Sequence, residues 1–274
     1  MAIITISRQF GSFGTEIATT LKEELHCNYL DKAALEETLV KKYGIPAENV
    51  ERYDEKKPPL WDIFSSDKDK YLHFMKTAVY EFARQGNCIL VGQGGQVLLR
   101  DVPGTLHVRV LAPKAVRIER VQQRYGYDAR LAEQVVRHSD HDRIGFHKFF
   151  FHVNWDDVNL YDLMLNTQLF SVEQAVGLLR ESVTMLHLDE QQGQTVQKLD
   201  DLCLGQKVIT QIAYTENIPI QFLEAHVVQG VVTLRGSTIT TDDIVRCEAI
   251  ARRVAGVTDV VNEVYFIPST YGMA

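Results

Sequence analysis

The first stretch of the chain constrains the fold most, because a strand, a glycine-containing turn and a helix follow one another directly. Residues 2–6 are apolar and largely β-branched, which predicts a short buried strand. The turn that follows contains Gly11 and Gly14, and apolar side chains then recur every fourth position across residues 15–25, as on one helical face. Strand, glycine turn and helix in this order are typical of the opening unit of a nucleotide-binding α/β domain.

The same alternation continues to about residue 188. The patterns predict a helix over 71–84, strands at 88–91, 106–111 and 164–165, a helix from Pro113, and a further helix opened by a capping box at 171–174. Alternating strands and helices predict the α/β class, with a parallel sheet covered by helices on both faces. We assign residues 1–188 to this first domain.

The composition then changes. Residues 189–199 are polar and predict a linker. A helix over 200–214, an apolar stretch at 221–228, a Gln229-Gly230 turn, a strand at 231–235, a helix over 242–254 and a strand at 260–266 are expected beyond it. Residues 200–268 are therefore predicted to be a small α+β module with the order αββαβ.

Charge and cysteine content limit the class of function. The net charge is −7, which argues against a broad basic surface for nucleic acid. The four cysteines are scattered without a CxxC pair, so neither a disulfide framework nor a zinc ribbon is expected. The start of the sequence does not resemble a signal peptide, and no apolar run approaches the ~20 residues that cross a bilayer. We expect a soluble, cytoplasmic protein without a transmembrane segment.

The turn at residues 8–14 has the features of a phosphate loop. Gly11 and Gly14 allow the backbone to approach a phosphate closely, and the hydroxyl of Thr15 stands where it could reach Mg²⁺. The lysine that normally follows the last glycine is missing, and Arg8 is the nearest cation that could replace it. Spacing alone leaves open a plain strand-to-helix turn that uses glycine only for its geometry.

Several fragments resemble the cytidylate kinase-like family, which is related to the P-loop nucleoside-monophosphate kinases. The resemblance covers most of residues 3–183, and its fragments occur in the family's order: ISRQFGSFGTEIA at 6–18, YLDK at 29–32, VGQGG at 91–95, LHVRVLAP at 106–113, RIER at 117–120, DR at 142–143, NWDD at 154–157 and YDLMLNT at 161–167. It implies transfer of the γ-phosphoryl group of Mg²⁺-ATP to a nucleoside monophosphate or a related small, phosphate-bearing acceptor.

The resemblance also implies roles for individual residues. It places the ATP phosphates on Arg8, Gly11, Ser12, Gly14 and Thr15, with Thr15 also facing Mg²⁺. It implies that Arg117, Arg120, Arg143 and Asp142 serve catalysis, and that Asp31, Gln93 and Arg137 contact the acceptor. Arginines 124 and 130 are instead expected on a solvated helix face.

The sequence departs from the family at several of these places. Gln93 and Glu37 stand where cytidylate kinases carry arginines, as do His138 and Gly145 on the predicted arginine-rich lid, and Phe13 replaces a loop glycine. A carboxylate in place of an arginine repels a phosphate. The acceptor is therefore expected to differ from CMP, or the domain binds nucleotide with little or no turnover. The histidines at 138, 141, 147 and 152 have no common metal-ligand spacing, and we do not predict a metal there.

The C-terminal module resembles the BON domain. The resemblance is carried by QGVVTLRG at 229–236 and by AIARRVAGVTDVVNEV at 249–264. BON domains occur in secreted and membrane-associated proteins, where they are thought to bind phospholipid or to mediate assembly. The resemblance implies that this module contacts a ligand, a lipid or a partner protein. Together with the first domain, it could then act as a nucleotide-sensing interaction protein. The structural alternative is that the module only stabilises the chain or mediates its dimerisation.

Overall fold

The computed structural model describes residues 2–53 and 66–268. The chain divides into two compact units, Met1–Gly193 and Gln194–Ala274. Among the described helices, none is both long and apolar enough to cross a membrane. Each unit is described separately below.

The first unit is built on a parallel sheet with the strand order β2-β3-β1-β4-β5. Its strands are β1 (Ile3–Arg8), β2 (Asn28–Leu30), β3 (Cys88–Val91), β4 (Thr105–Leu111) and β5 (Leu163–Asn166). Strand β1 lies in the centre, where Ile6 is in register with Val91 of β3 and with Val108 of β4. The carboxyl ends of these strands therefore reach the same edge of the sheet, which is where ligands bind in such folds.

Helices cover the sheet and confirm the predicted α/β class. They are α1 (Gly14–Leu25), α2 (Lys32–Lys41), α3 (Ala47–Tyr53), α4 (Ser66–Arg84), α5 (Gly95–Leu98), α6 (Lys114–Tyr125), α7 (Ala129–Phe151) and α8 (Val172–Met185). Buried side chains of α1 and α8, such as Leu21 and Leu179, pack against the strands in one apolar core. The capping box predicted at residues 171–174 is present, since the side chain of Ser171 accepts from Gln174 N while the side chain of Gln174 accepts from Ser171 N.

The second unit is the predicted αββαβ module. It contains α9 (Gln192–Ile209), continued by a π-helical segment over Thr210–Thr215, then β6 (Gln221–Val228), β7 (Val231–Thr238), α10 (Thr241–Arg253) and β8 (Asp259–Phe266). Strands β6 and β7 form the predicted antiparallel hairpin, and β8 pairs with β7 in parallel. The carboxylate of Asp201 in α9 accepts from the backbone amides of Gln229 and Gly230, which fixes the hairpin turn.

The segment predicted as a linker differs from expectation. Residues 188–191 form a 3₁₀ turn, and α9 begins at residue 192 rather than 200. Thr195 and Leu199 are fully buried, so this part of the segment is anchored by packing. The sequence predicts a linker because most residues of this segment are polar, and the burial of Thr195 and Leu199 leaves no pattern in so short a window.

Candidate functional site

Hydrogen bonds from Ser12 to backbone carbonyl groups fix the loop between β1 and α1. Its buried Ser12 donates its hydroxyl to Gln9 O at 2.8 Å and to Val110 O at 3.2 Å, while Ser12 N donates to Gln9 O at 3.2 Å. Gly11 has a φ of 77°, a value that suits glycine. The Ser12 side chain therefore ties the loop to β4, and the expectation that Ser12 contacts phosphate stays a prediction.

The first three amide groups of α1 lie ahead of the hydrogen-bond ladder of the helix. Ile17 N is the first to donate back, to Phe13 O at 2.9 Å, so the amides of Gly14, Thr15 and Glu16 precede the helical ladder. A Cβ atom on Gly14 would lie 2.3 Å from Arg8 Cβ. The first carbons of the Arg8 side chain therefore pack against the start of α1, and Arg8 lines the cleft above the loop.

Phe13 and Arg120 contact each other and stabilise the conformation of the loop. Phe13 caps α1 with a φ of 63°, a left-handed conformation that is costly for a bulky residue. The guanidinium of Arg120 lies 3.9 Å from the Phe13 ring centroid, and its Nη atoms donate to Thr167 O at 2.6 Å and to Gly11 O at 3.3 Å. Burial lowers the pKa of Arg120 from its ordinary value. Arg120 therefore holds the strained loop in place.

Arg117 is committed to protein contacts. Its side chain is 4% exposed, and it makes a two-pronged ion pair with Asp140 of α7 at 3.0 and 2.8 Å. Its Nε donates to Ala112 O at 3.0 Å, and Nη1 also donates to Phe10 O at 3.3 Å. The guanidinium of Arg117 joins α6, α7 and the loop in the interior, and Arg117 lies outside the described lining of the clefts. Its expected part in catalysis stays a prediction.

A first cleft of about 710 Å³ opens above the loop. Its described lining combines the loop, the first turn of α1, one face of α6 and one residue of α7: Arg8, Gln9, Phe10, Gly11, Phe13, Gly14, Thr15, Glu16, Arg120, Val121, Gln123, Arg124, Tyr125 and Arg143. Arg124 is exposed on α6, as the sequence predicts, and it also forms an ion pair with Glu16 at the cleft wall. Arg117, Arg120 and Arg124 follow one another at i, i+3 and i+7, and this spacing is the sequence signal that places all three on one face of α6.

A second cleft of about 830 Å³ lies along α7. Its described lining is Arg8, Phe10, Lys32, Gln134, Val135, Arg137, His138, Ser139, His141, Asp142 and Arg143. The structure thus brings the predicted residues Arg137, Asp142 and Arg143 together, and His138 Nε2 lies 3.2 Å from Asp142 Oδ2. Arg8, Phe10 and Arg143 line both clefts, so two cations stand at the junction.

The sequence model of the cytidylate kinase-like family matches residues 3–169, which is more than half of the chain. The chain belongs to the cytidylate kinase-like family. A BON domain matches residues 200–268. The family resemblance deduced from the loop and strand motifs is thereby confirmed, and so is the resemblance of the C-terminal module.

Similar proteins support the family at low identity. A cytidylate kinase of Methanococcus aeolicus is 23% identical over 183 residues, covering 66% of this chain and 97% of its own length. A cytidylate kinase of Methanopyrus kandleri is 25% identical, covering 67% and 94%. A crystal structure of an uncharacterized protein from Eubacterium ventriosum superimposes with a TM-score of 0.52 at 24% identity, over 67% of this chain and 98% of that one, and supports the fold.

Three residues expected at the acceptor site of this kinase-like domain lie outside the described lining of both clefts. Asp31 caps α2, its Oδ1 accepting from Ala34 N at 3.0 Å. Gln93 is buried in the turn after β3. Glu37 is exposed on α2, where hydrogen bonding and attraction from Lys41 lower the pKa of its carboxyl group. The neighbouring Lys32, which the sequence analysis did not single out, lines the second cleft instead.

A buried network fixes the strand ends beneath the clefts. Arg109 of β4 donates to Trp155 O at 2.6 Å and to Tyr161 Oη at 2.8 Å, and its guanidinium lies 3.6 Å from the Trp155 ring centroid. Trp155 Nε1 donates to Ser7 Oγ at 2.9 Å, next to the loop. The NWDD motif of the family at 154–157 therefore anchors the segment after α7 to β1.

Among the described residues, no three His, Cys, Asp or Glu side chains lie close enough together to form a metal site. Thr15 lines the first cleft at the first turn of α1, where its hydroxyl can meet a metal ion that phosphate oxygens also hold. This donor set fits Mg²⁺ carried by a nucleotide triphosphate.

Proposed function

We propose that the kinase-like domain transfers the γ-phosphoryl group of Mg²⁺-ATP to a nucleoside monophosphate or a related small, phosphate-bearing acceptor. One observation carries the proposal: Arg8 and Arg143 line both the cleft above the loop and the cleft along α7. A transferred phosphoryl group passes between donor and acceptor, and its charge needs cations at that junction. Arg8 and Arg143 are two such cations.

The donor side is the first cleft. The amides at the start of α1 and the positive end of the helix dipole attract the phosphates. We assign Arg8 the role that lysine has in other phosphate loops, because its side chain packs against Gly14 and lines the same cleft. Thr15 would hold Mg²⁺ together with the phosphate oxygens, and the ion would neutralise part of their charge.

Arg117 and Arg120 act through the loop. Arg117 donates to Phe10 O and Arg120 donates to Gly11 O, so the two guanidinium groups fix two successive carbonyl groups of the loop. Preorganised donors need no rearrangement during the reaction, which is the source of their effect on rate. We therefore assign Arg117 a positioning role, while Arg120 both lines the first cleft and supports the loop.

We assign the acceptor side to the second cleft, where cations predominate among the charged lining residues. Lys32 and Arg137 join the two arginines of the junction, and Asp142 is the carboxylate among them. Such a lining suits an anionic acceptor, with Asp142 oriented by His138 to accept a hydrogen bond from its hydroxyl or amine groups. CMP itself is not proposed as the acceptor, because Glu37 and Gln93 replace arginines of the cytidylate kinases.

ADP formation from Mg²⁺-ATP, measured across nucleoside monophosphates and phosphorylated metabolites, tests this proposal. We expect one acceptor to stimulate ADP release, and Arg143→Ala to lower kcat/KM by about 100-fold, as for loss of one preorganised charge-stabilising group. Arg130→Ala is the matched control, because Arg130 is exposed on the same helix α7 and lies outside the described lining of both clefts.

Two results would contradict the proposal. One is equal activity of the Arg143 and Arg130 variants with the stimulating acceptor. The other is ATP binding without ADP release for every acceptor tried, which would instead identify the domain as a nucleotide-binding module whose BON domain contacts a ligand, lipid or partner.

A further inference from the structure

Three aromatic rings form a row at the mouth of the first cleft. Phe10 and Tyr125 line the cleft with ring centroids 6.0 Å apart and planes 19° apart, and Tyr127 continues the row at 5.5 Å and 21° from Tyr125. We call these three residues the aromatic row. Gly126, with a φ of 70°, ends α6 and turns the chain so that the two tyrosine rings come to lie nearly parallel.

The two tyrosines of the row are exposed although their rings are large and aromatic, while Phe10 is partly buried. Tyr125 is 45% and Tyr127 36% exposed, and both rings lie at the C-terminal end of α6. The same cleft is also lined by the start of α1 and by the cations Arg8 and Arg120. A ligand that fills the cleft therefore meets both phosphate-binding groups and near-parallel aromatic rings.

A nucleotide combines the two chemistries that this lining offers partners for, an anionic phosphate chain and a flat aromatic base. We propose that the aromatic row is a stacking platform for the base of the nucleoside triphosphate whose phosphates lie on the loop. The inference rests on the proposed function, because it assumes that the loop binds a triphosphate. Stacking needs only a π-face, so the row recognises an aromatic base, and a purine offers it more area than a pyrimidine.

Calorimetric dissociation constants for Mg²⁺-ATP and for Mg²⁺-tripolyphosphate separate the base from the phosphates. For Tyr125→Ala we expect about 10-fold weaker ATP binding and an unchanged affinity for tripolyphosphate. Tyr125→Phe keeps the ring and is expected to bind ATP as the parent chain does. Tyr265→Ala, which removes an exposed tyrosine of the BON domain, is the matched control and is expected to change neither affinity.

The outcomes distinguish the two proposals. If the parent chain binds both ligands and Tyr125→Ala weakens neither, or weakens both equally, the stacking platform is wrong while the phosphate loop stands. If the parent chain binds neither ligand, the proposed function fails and the platform fails with it.

Discussion

At the scale of single residues, the phosphate loop depends on close packing around a glycine. A lysine at position 14 would restore the usual motif, yet a Cβ atom there would lie 2.3 Å from Arg8 Cβ and 3.3 Å from Val110 Cβ. Gly14 and Arg8 are therefore linked: the arginine can reach the start of α1 because the glycine has no side chain. The missing lysine follows from this packing, and the loop keeps a cation.

This packing predicts the effect of adding one methyl group. Gly14→Ala is expected to lower the free energy of unfolding by about 1–3 kcal/mol, because the methyl group and the Arg8 stem cannot occupy the same space. The matched control is Gly177→Ala in α8, where a Cβ would meet no described atom within 4 Å, and a gain of about 0.5–1 kcal/mol is expected. Urea unfolding measures both, and equal effects at the two glycines would contradict the packing.

At the scale of elements, helices α6 and α7 are joined by two ion pairs of different burial. Arg117 and Asp140 form the buried pair, with side chains 4% and 24% exposed, whereas Lys114 and Glu133 form an exposed pair. An exposed pair contributes little because water screens it and both side chains lose freedom. A buried cation that loses its partner is costly, since the charge remains in the interior.

We therefore expect Asp140→Asn to lower the free energy of unfolding by about 2–3 kcal/mol, since Arg117 then lacks a full counter-charge. Glu133→Gln, which breaks the other link between the same two helices, should lower the stability much less, because water screens this exposed pair. Chemical denaturation of the two variants under one set of conditions gives the comparison. A Glu133→Gln variant as unstable as Asp140→Asn would show that burial does not decide the strength of the link.

Four strands of the five-stranded sheet could be predicted because their signals are local, whereas the three-residue β2 was not predicted. The apolar strands around the glycine turns and the capping box at Ser171 are visible in short windows of sequence. The start of α9 could not be predicted, because the burial of Thr195 depends on packing that a polar window does not reveal. The candidate site was predicted as a set of arginines, but the buried ion pair of Arg117 was not, since Asp140 lies on a different helix.

At the scale of the whole molecule, a kinase-like domain matched over residues 3–169 precedes a BON domain matched over 200–268. The fold class followed from alternating strands and helices, and the family from motifs in a fixed order. The aromatic row escaped sequence analysis, although two tyrosines flanking the glycine after α6 are a usable signal. The two clefts depend on contacts between residues far apart in the chain, such as Gly11 O with Arg120, and no local pattern encodes these.

The most direct test of the central claim, that the loop after β1 binds the triphosphate of a nucleotide, is thermal unfolding of the 274-residue chain with and without Mg²⁺-ATP. At ATP concentrations about 100 times the dissociation constant, binding to the native state alone adds about 2.7 kcal/mol of stability. This should raise the melting temperature of the transition that unfolds the kinase-like domain by about 5–10 °C, and by clearly less in Arg8→Ala. No rise at millimolar Mg²⁺-ATP, or the same rise in Arg8→Ala, would contradict the account.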